Sequence, residues 1–307
     1  MKIGIPKGLL YCKYHPFINT FFSELGADIV TSPETNKDIL NMGVKYSVDE
    51  ACLPIKIFHG HVAYLKNKCD IMLIPRIMCL NKKEYICPKF CGLPEMILND
   101  VPNMPKCITY PIYAFSHNHF KICIFKMGTY ITKNYFKIQK AYKRAIEAQI
   151  KYKNGIKDNG FKLNVALVGH PYNIYDKFAN MNLVKKLNNL GIGVITEDFI
   201  QKDKINSQIT SLFKKPFWTF TRNSYGFSKY VTINKKVNGI IYISSFACGI
   251  DSVTIELIKN QLSHFPFLIL KIDEQTGEAG FYTRLEAFAD MLERRYINNE
   301  GYISSPR

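Results

Sequence analysis

Hydrophobic and polar positions along this chain follow two periods in turn. Short apolar runs suited to a sheet covered on both faces, "MKIGI", "ADIVTS", "CDIMLIPRI" and "CITYPIYA", are separated by longer stretches in which apolar residues recur every three or four positions. In "HPFINTFFSELG", Phe17, Phe21, Phe22 and Leu25 fall on one stripe, Pro16 stands near the first turn, and Gly26 marks the stop. Further helices are expected from Thr35, through "CLPIKIFHGHVAYLKN", over "LPEMILND" and over residues 131–152. Residues 151–161, "KYKNGIKDNGF", are polar and aperiodic, which places a boundary there.

Past that boundary the alternation resumes. "LNVALVGHPY", "GIGVITED", "NGIIYISS" and "FPFLILKID" read as strands. Between and after them come a helix carrying Leu183, Val184, Leu187 and Leu190 behind Asp176 as N-cap, then "DSVTIELIKNQL" and "TRLEAFADMLERR". Strands alternating with helices predict parallel sheets joined by right-handed crossovers. The expected fold is α/β: two Rossmann-like, doubly wound parallel-sheet domains, residues 1–155 and 156–307, facing a cleft. Residues 201–236, which hold Trp218, resist the scheme; a helix covering the core is the first reading, a lid or partner-docking element the second.

Composition narrows the class. A chain of 307 residues accommodates two cores, and its 47% hydrophobic and 21% charged content is that of a folded globular protein. The start lacks a secretory pattern, and the longest apolar run, "GIIYISSFACGI", is too short to span a bilayer, so a cytoplasmic location without membrane contact is expected. Nine cysteines, an odd count spread along the chain, then act as packing residues, catalytic groups or metal ligands rather than disulfides. The net charge of +16 favours acidic partners or phosphate-bearing ligands. No RNA-binding signature or helix-turn-helix accompanies the lysines, so they read as a solvated surface rather than a nucleic-acid site.

Chemistry is sought just beyond the carboxyl ends of the strands, where ligands bind in open parallel sheets. Three cysteines meet that condition. Cys87 follows "CDIMLIPRI", Cys248 follows "NGIIYISS", and Cys52 opens the helix before the third strand. A thiolate at a helix N-terminus is favoured by the dipole and by unpaired amides. Pro54, Pro88 and Gly249 stiffen or open the backbone beside these thiols, as a metal cluster would need. Cys12, Cys69, Cys79, Cys107 and Cys123 sit among apolar neighbours as small hydrophobes, and Cys91 fits either role.

No CxxC pair points to structural zinc or a ferredoxin-like cluster, and reduced core thiols remain the competing reading for all nine. Dinucleotide, P-loop and nucleophile-elbow motifs do not occur. The histidines of "HGH" and "HNH" lie two apart and point to different helix faces, although His59 stands two turns from Cys52 on its helix. Asp273, Glu274 and Arg284 are read as helix-capping groups ahead of a cluster-holding role.

The motifs "VDEACLPIKIFHGHV", "KKEYICPKFCGLPEMI", "GHPYNIYD", "SSFACGIDS" and "DEQTGEAGFYTRLEAF" together resemble the acyl-CoA dehydratase activase-related family. Its relatives are the iron–sulfur subunits of 2-hydroxyacyl-CoA dehydratases and the double-cubane cluster proteins. The resemblance implies Rossmann-like domains and an iron–sulfur cluster held by Cys52, Cys87 and Cys248; Cys91, one helical turn from Cys87 on the same loop, ranks below them as a substitute or added ligand. The cluster would be [4Fe–4S] with one open iron, or an [8Fe–9S] double cubane bridging a homodimer. It also implies low-potential electron transfer or reduction, fed by a separate ATP-hydrolysing activator. A non-catalytic cluster carrier in a dehydratase-like complex and a subunit acting on an acyl-CoA substrate are the alternatives.

Overall fold

Lys2–Ile5 forms β1, and its alternation sets the plan of the first half: Ile3 and Ile5 turn toward one helical layer while Gly4 turns away. After it come α1 (Tyr11–Glu24), β2 (Asp28–Thr31), α2 (Lys37–Lys45), α3 (Leu53–Leu65) and β3 (Ile71–Leu73). Then follow β4 (Arg76–Asn81), β5 (Glu84–Tyr85), α4 (Pro88–Cys91), α5 (Leu93–Asp100), β6 (Lys106–Ile108), β7 (Pro111–Tyr113), α6 (His117–Gly128) and α7 (Tyr135–Lys151). The second half contains β8 (Leu163–Gly169), α8 (Pro171–Tyr175), α9 (Leu183–Asn189), β9 (Ile192–Ile195), α10 (Lys202–Ser207), α11 (Thr219–Ile233), β10 (Gly239–Ser245), α12 (Gly249–Leu262), β11 (Phe267–Ile272) and α13 (Glu278–Ile303). This computed structural model describes residues 1–262 and 264–303. The chain divides into two units, Met1–Asn154 with Pro216–Phe220, and Gly155–Lys215 with Thr221–Arg307.

The fold is α/β, as the sequence pattern predicts. In the first unit a parallel sheet runs in the order β2-β1-β3-β6. Ile3, Ile5, Ile71, Leu73 and Ile108 pack on Phe17, Phe21, Phe22, Ile124, Met127 and Tyr142 from α1, α6 and α7. α3 is buried along almost its whole length, from Leu53 to Val62, which suits its continuously apolar sequence. α2 and α3 touch backbone to backbone: a Cβ at Gly43 would lie 1.9 Å from the Lys56 carbonyl oxygen, and one at Gly60 1.8 Å from that of Ile39. Only glycine admits this approach.

Two apolar runs expected to be single strands are each cut by proline. "CDIMLIPRI" gives β3 and, beyond Pro75, β4; "CITYPIYA" gives β6 and β7. The later pieces leave the main sheet for a small one, β5-β4-β7, because proline offers no amide to continue the first ladder. Pro16 also departs from expectation. It lies inside α1, not at its first turn, and the Cys12 carbonyl that it cannot bond accepts instead from the Tyr152 hydroxyl at 3.5 Å. The expected helix over 131–152 begins at Tyr135, capped by Asn134.

The second unit repeats the parallel design in the order β11-β10-β8-β9. Ala166, Val168, Ile240 and Tyr242 face Ile205, Tyr225, Phe227, Val231, Ile255 and Ile258 from α10, α11 and α12. Phe288 and Leu292 of α13 lie over Gly239 on the opposite face. α11 is therefore the core-covering helix read for residues 201–236. Just ahead of it, Phe217 stacks on Tyr85 with centroids 4.3 Å apart, inside the first unit. Asp176 caps a turn at the amides of Phe178 and Ala179, and α9 starts later, behind Asn182 in a left-handed conformation.

Candidate functional site

Each of the two four-stranded parallel sheets has one place where neighbouring strands lead off in opposite directions, the place at which such sheets open a crevice beyond the carboxyl ends. In the second unit that place lies between β8 and β10. β8 ends on Gly169, at φ 148°, where a Cβ would come within 2.3 Å of the Ile243 carbonyl oxygen. His170 follows at once. β10 ends on Ser245 and turns through Ala247, held at φ 61°, so that Cys248 heads α12. The Ser252 amide donates to the Cys248 carbonyl at 3.1 Å, closing the first helical turn.

The ligating atoms of His170, Cys248 and Asp251 all lie within 4.8 Å of one another. Asp251 is fully buried and accepts from the Tyr242 hydroxyl at 2.7 Å and the Ser244 hydroxyl at 2.8 Å. His170 Nε2 approaches Asp251 at 3.5 Å, and its Nδ1 meets the Tyr172 hydroxyl at 2.9 Å. Burial, with the charge of Asp251 beside it, pushes the Tyr242 phenol well above its ordinary range, so it remains a donor. One imidazole, one thiol and one carboxylate form a donor set suited to a divalent transition metal.

In the first unit the charge of Cys52 acts on the Cys87 thiol. Cys52 is the N-cap of α3 with Pro54 in the first turn, and its carbonyl accepts from the amides of Ile55 at 2.9 Å and Lys56 at 3.2 Å. Cys87 is the N-cap of α4 with Pro88 behind it. Both thiols are free and half-buried. Burial raises the Cys87 pKa; a backbone hydrogen bond at Lys89 opposes this, and negative charge on Cys52 and on Cys91 adds to it. The helix-start advantage expected for thiolates is thus outweighed at Cys87 by desolvation.

Cys91, one turn on, has its thiol raised mainly by burial, against Arg76 and with Cys79. Its Sγ reaches the Ile77 carbonyl at 3.5 Å. Cys52, Cys87, Cys91 and Cys79 therefore form a succession of thiols, each electrostatically coupled to the next.

Other candidates have structural employment. His59 is buried, bonded to the Ile55 carbonyl at 2.8 Å and to Asp100 at 3.1 Å. Its neighbour His61 meets Thr35 at 3.1 Å. Asp273 caps the turn after β11 through the Gln275 amide and the Thr276 hydroxyl, and Arg284 donates to the Ile269 carbonyl at 2.5 Å. Burial, with Cys69 nearby, pushes the Cys107 thiol up to about 11, as fits a packing residue. Sequence reasoning gave no role to His170 or Asp251. Their signal was present as "GHP" and "CGID", a histidine directly after β8 and an aspartate in the first turn of the helix that follows β10.

The family profile described as "CoA enzyme activase uncharacterised domain (DUF2229)" matches residues 2–200. No curated protein matches the chain. A solved structure, that of a mutant of the Mn-bound periplasmic metal binding protein from Candidatus Liberibacter asiaticus, aligns with 96% of this chain and 99% of its own at 12% identity. Its TM-score is 0.29, too low to carry any inference about fold or metal.

Proposed function

The chain belongs to the CoA enzyme activase domain family, and from that premise we propose that it is an iron–sulfur protein acting in low-potential electron transfer or reduction. Cys52, Cys87 and Cys248 serve as its thiolate ligands, and a separate ATP-hydrolysing activator supplies the electrons. The observation that carries this reading is the pairing of Cys52 with Cys87. Both thiols are half-buried on proline-stiffened turns, and the Cys87 thiol is raised by burial first and also by the charge of Cys52. A bound cation removes that charge conflict and displaces both protons.

When bound, an iron–sulfur cluster supplies a one-electron redox centre whose potential follows hydrogen bonding to sulfur and exclusion of solvent. The chain's own part is to hold the thiols in place. Pro54 and Pro88 fix the backbone behind Cys52 and Cys87, and the helix start at Gly249 fixes Cys248, with Asp251 tied to Tyr242 and Ser244 in the next turn. His170 stands beside Cys248 as a second-layer group able to orient it.

A second reading has its own observation. The grouping of His170, Cys248 and Asp251 would take a single divalent ion wholly within the second unit. One experiment separates the two. Protein purified without oxygen is analysed for iron, acid-labile sulfide and zinc, with electron paramagnetic resonance after dithionite reduction. The iron–sulfur reading expects brown protein with about four iron and comparable sulfide per chain. Colourless protein with about one zinc per chain, abolished in His170→Ala, would replace it with the mononuclear site.

A further inference from the structure

The crevice of the first unit is of another kind. The sheet order β2-β1-β3-β6 reverses direction at β1 and β3. Beyond the ends of those two strands, lined by Ile5, Gly8, Leu73 and Pro75, opens a cavity of about 380 Å³. Its remaining wall is largely aromatic, with Tyr14, Phe17, Phe58, Phe90 and Phe120 among the rings. Among the described residues that line it there is no aspartate, glutamate, lysine or arginine. The volume lies within the range of small-molecule sites, and the position is the one at which open parallel sheets take their ligands.

The cavity is not a fault in the core. Leu9 holds φ 53° to turn the chain from β1 into α1. That turn forms part of the cavity wall, and Gly8 in it lies so close to Phe58 that a Cβ there would come within 2.9 Å of its ring. At water's share of about 30 Å³ per molecule the space takes on the order of a dozen non-hydrogen atoms. An apolar occupant gains dispersion contacts with this lining and takes apolar surface out of water.

We propose that this cavity binds a free apolar molecule of medium chain length with a single hydrogen-bonding end, of the aliphatic alcohol or fatty-acid kind. The lining supplies polar groups sparingly. Both ends of the Gln149 amide are engaged, by the Phe17 amide and the Lys13 carbonyl. The Tyr11 hydroxyl is paired with Asn19. The Ser116 hydroxyl is engaged with His119, and His117, exposed at the start of α6, is a polar side chain at the wall. One polar end can be met there, and no cationic group of the lining would meet the phosphates of a CoA ester. The proposal stands apart from the iron–sulfur reading, although Phe58 and Phe90 belong to α3 and α4, the helices headed by Cys52 and Cys87.

The test uses the whole chain, purified without oxygen. Fluorescence of the neutral probe N-phenyl-1-naphthylamine is titrated, followed by competition with 1-decanol, decanoate and decanoyl-CoA. Saturable probe uptake is expected, displaced by decanol or decanoate and at least tenfold less well by decanoyl-CoA. Ala114→Phe and Ile146→Phe, which fill the half-buried margin of the cavity, should each lower probe affinity at least tenfold.

A readout independent of any variant is the ¹³C-methyl spectrum of methionine-labelled wild type. Met127, which lines the cavity, should shift with decanol while Met96 on α5 does not. Absence of saturable uptake, or a Met127 signal unmoved at saturating decanol, overturns the proposal. Binding of decanoyl-CoA as tight as that of decanoate overturns the assignment to a free molecule. None of these results depends on iron content, so failure here leaves the iron–sulfur reading standing, and the reverse holds.

Discussion

The Tyr242 hydroxyl donates to Asp251 at 2.7 Å inside a fully buried pair that links the middle of β10 to the first turn of α12. Ser244 donates to the second carboxylate oxygen at 2.8 Å. The turn bearing Cys248 is spanned by this carboxylate, so its geometry rests on a charge-assisted network. Asp251→Ala leaves two buried donors unmet and should lower stability by about 3 kcal/mol, with Asp251→Asn losing roughly half as much. Urea denaturation checks it. A loss under about 1 kcal/mol for the alanine variant would mean that the network contributes little.

The contact between Gly43 and Gly60 gives a second prediction. With Cβ positions 1.9 Å and 1.8 Å from opposing carbonyl oxygens, Gly43→Ala or Gly60→Ala must force α2 and α3 apart. Backbone cannot yield as a side-chain tip does. Overpacking of this kind costs about 1–3 kcal/mol, at or above the upper end here because both atoms met are backbone. Gly277→Ala, where a Cβ would meet nothing within 4 Å, is the control and should change stability by less than about 0.5 kcal/mol. Thermal unfolding of the three variants decides it.

Local pattern carried most of the fold. The period of Phe17, Phe21 and Phe22 announces α1, and continuous apolar runs announce the parallel strands, because burial on both sheet faces leaves little room for polar residues. What it could not announce is where a run changes sheets. Pro75 and the Tyr110–Pro111 step interrupt strands whose composition is uniform on both sides, and the small sheet depends on pairing partners distant along the chain. The strand-end rule picked out Cys52, Cys87 and Cys248 as sulfurs standing just ahead of helices. It passed over His170 and Asp251, because a single histidine or aspartate beside a strand becomes legible only when the register of β8 against β10 is known. The cavity of the first unit was hidden for the same reason: its lining comes from β1, β3, β4 and β7 and from helices as far apart along the chain as α1 and α7.

The iron–sulfur reading predicts unequal effects among cysteines. Cys52→Ser, Cys87→Ser and Cys248→Ser should each cut iron per chain by half or more, since a hydroxyl replaces thiolate poorly as a ligand to iron. Cys123→Ser and Cys107→Ser should retain wild-type iron, the Cys123 thiol being buried in α6 and that of Cys107 donating to the Pro105 carbonyl at 3.2 Å. Cys91→Ser tests the loop's spare donor, and iron loss equal to that of Cys87→Ser would make it a ligand as well. Iron assay against circular dichroism, to confirm folding, is the measurement; uniform iron across all six variants would remove the cysteine-ligand assignment.

Acid should weaken the first unit through His61. Burial, against the charge of Glu34 and with that of Lys7, lowers its pKa from 6.5 to about 4. The unfolded chain takes up a proton near pH 6.5 that the folded chain refuses until about pH 4, so stability falls as pH drops through that window and the loss is complete below it. At pH 5 the shift corresponds to about 2 kcal/mol relative to neutral pH. His61→Gln keeps a polar group near Thr35 and has no proton to gain, so its stability between pH 7.5 and 5 should be flatter by that amount. Urea titrations of wild type and variant at the two pH values measure the difference, and parallel losses in both proteins would place the acid sensitivity elsewhere.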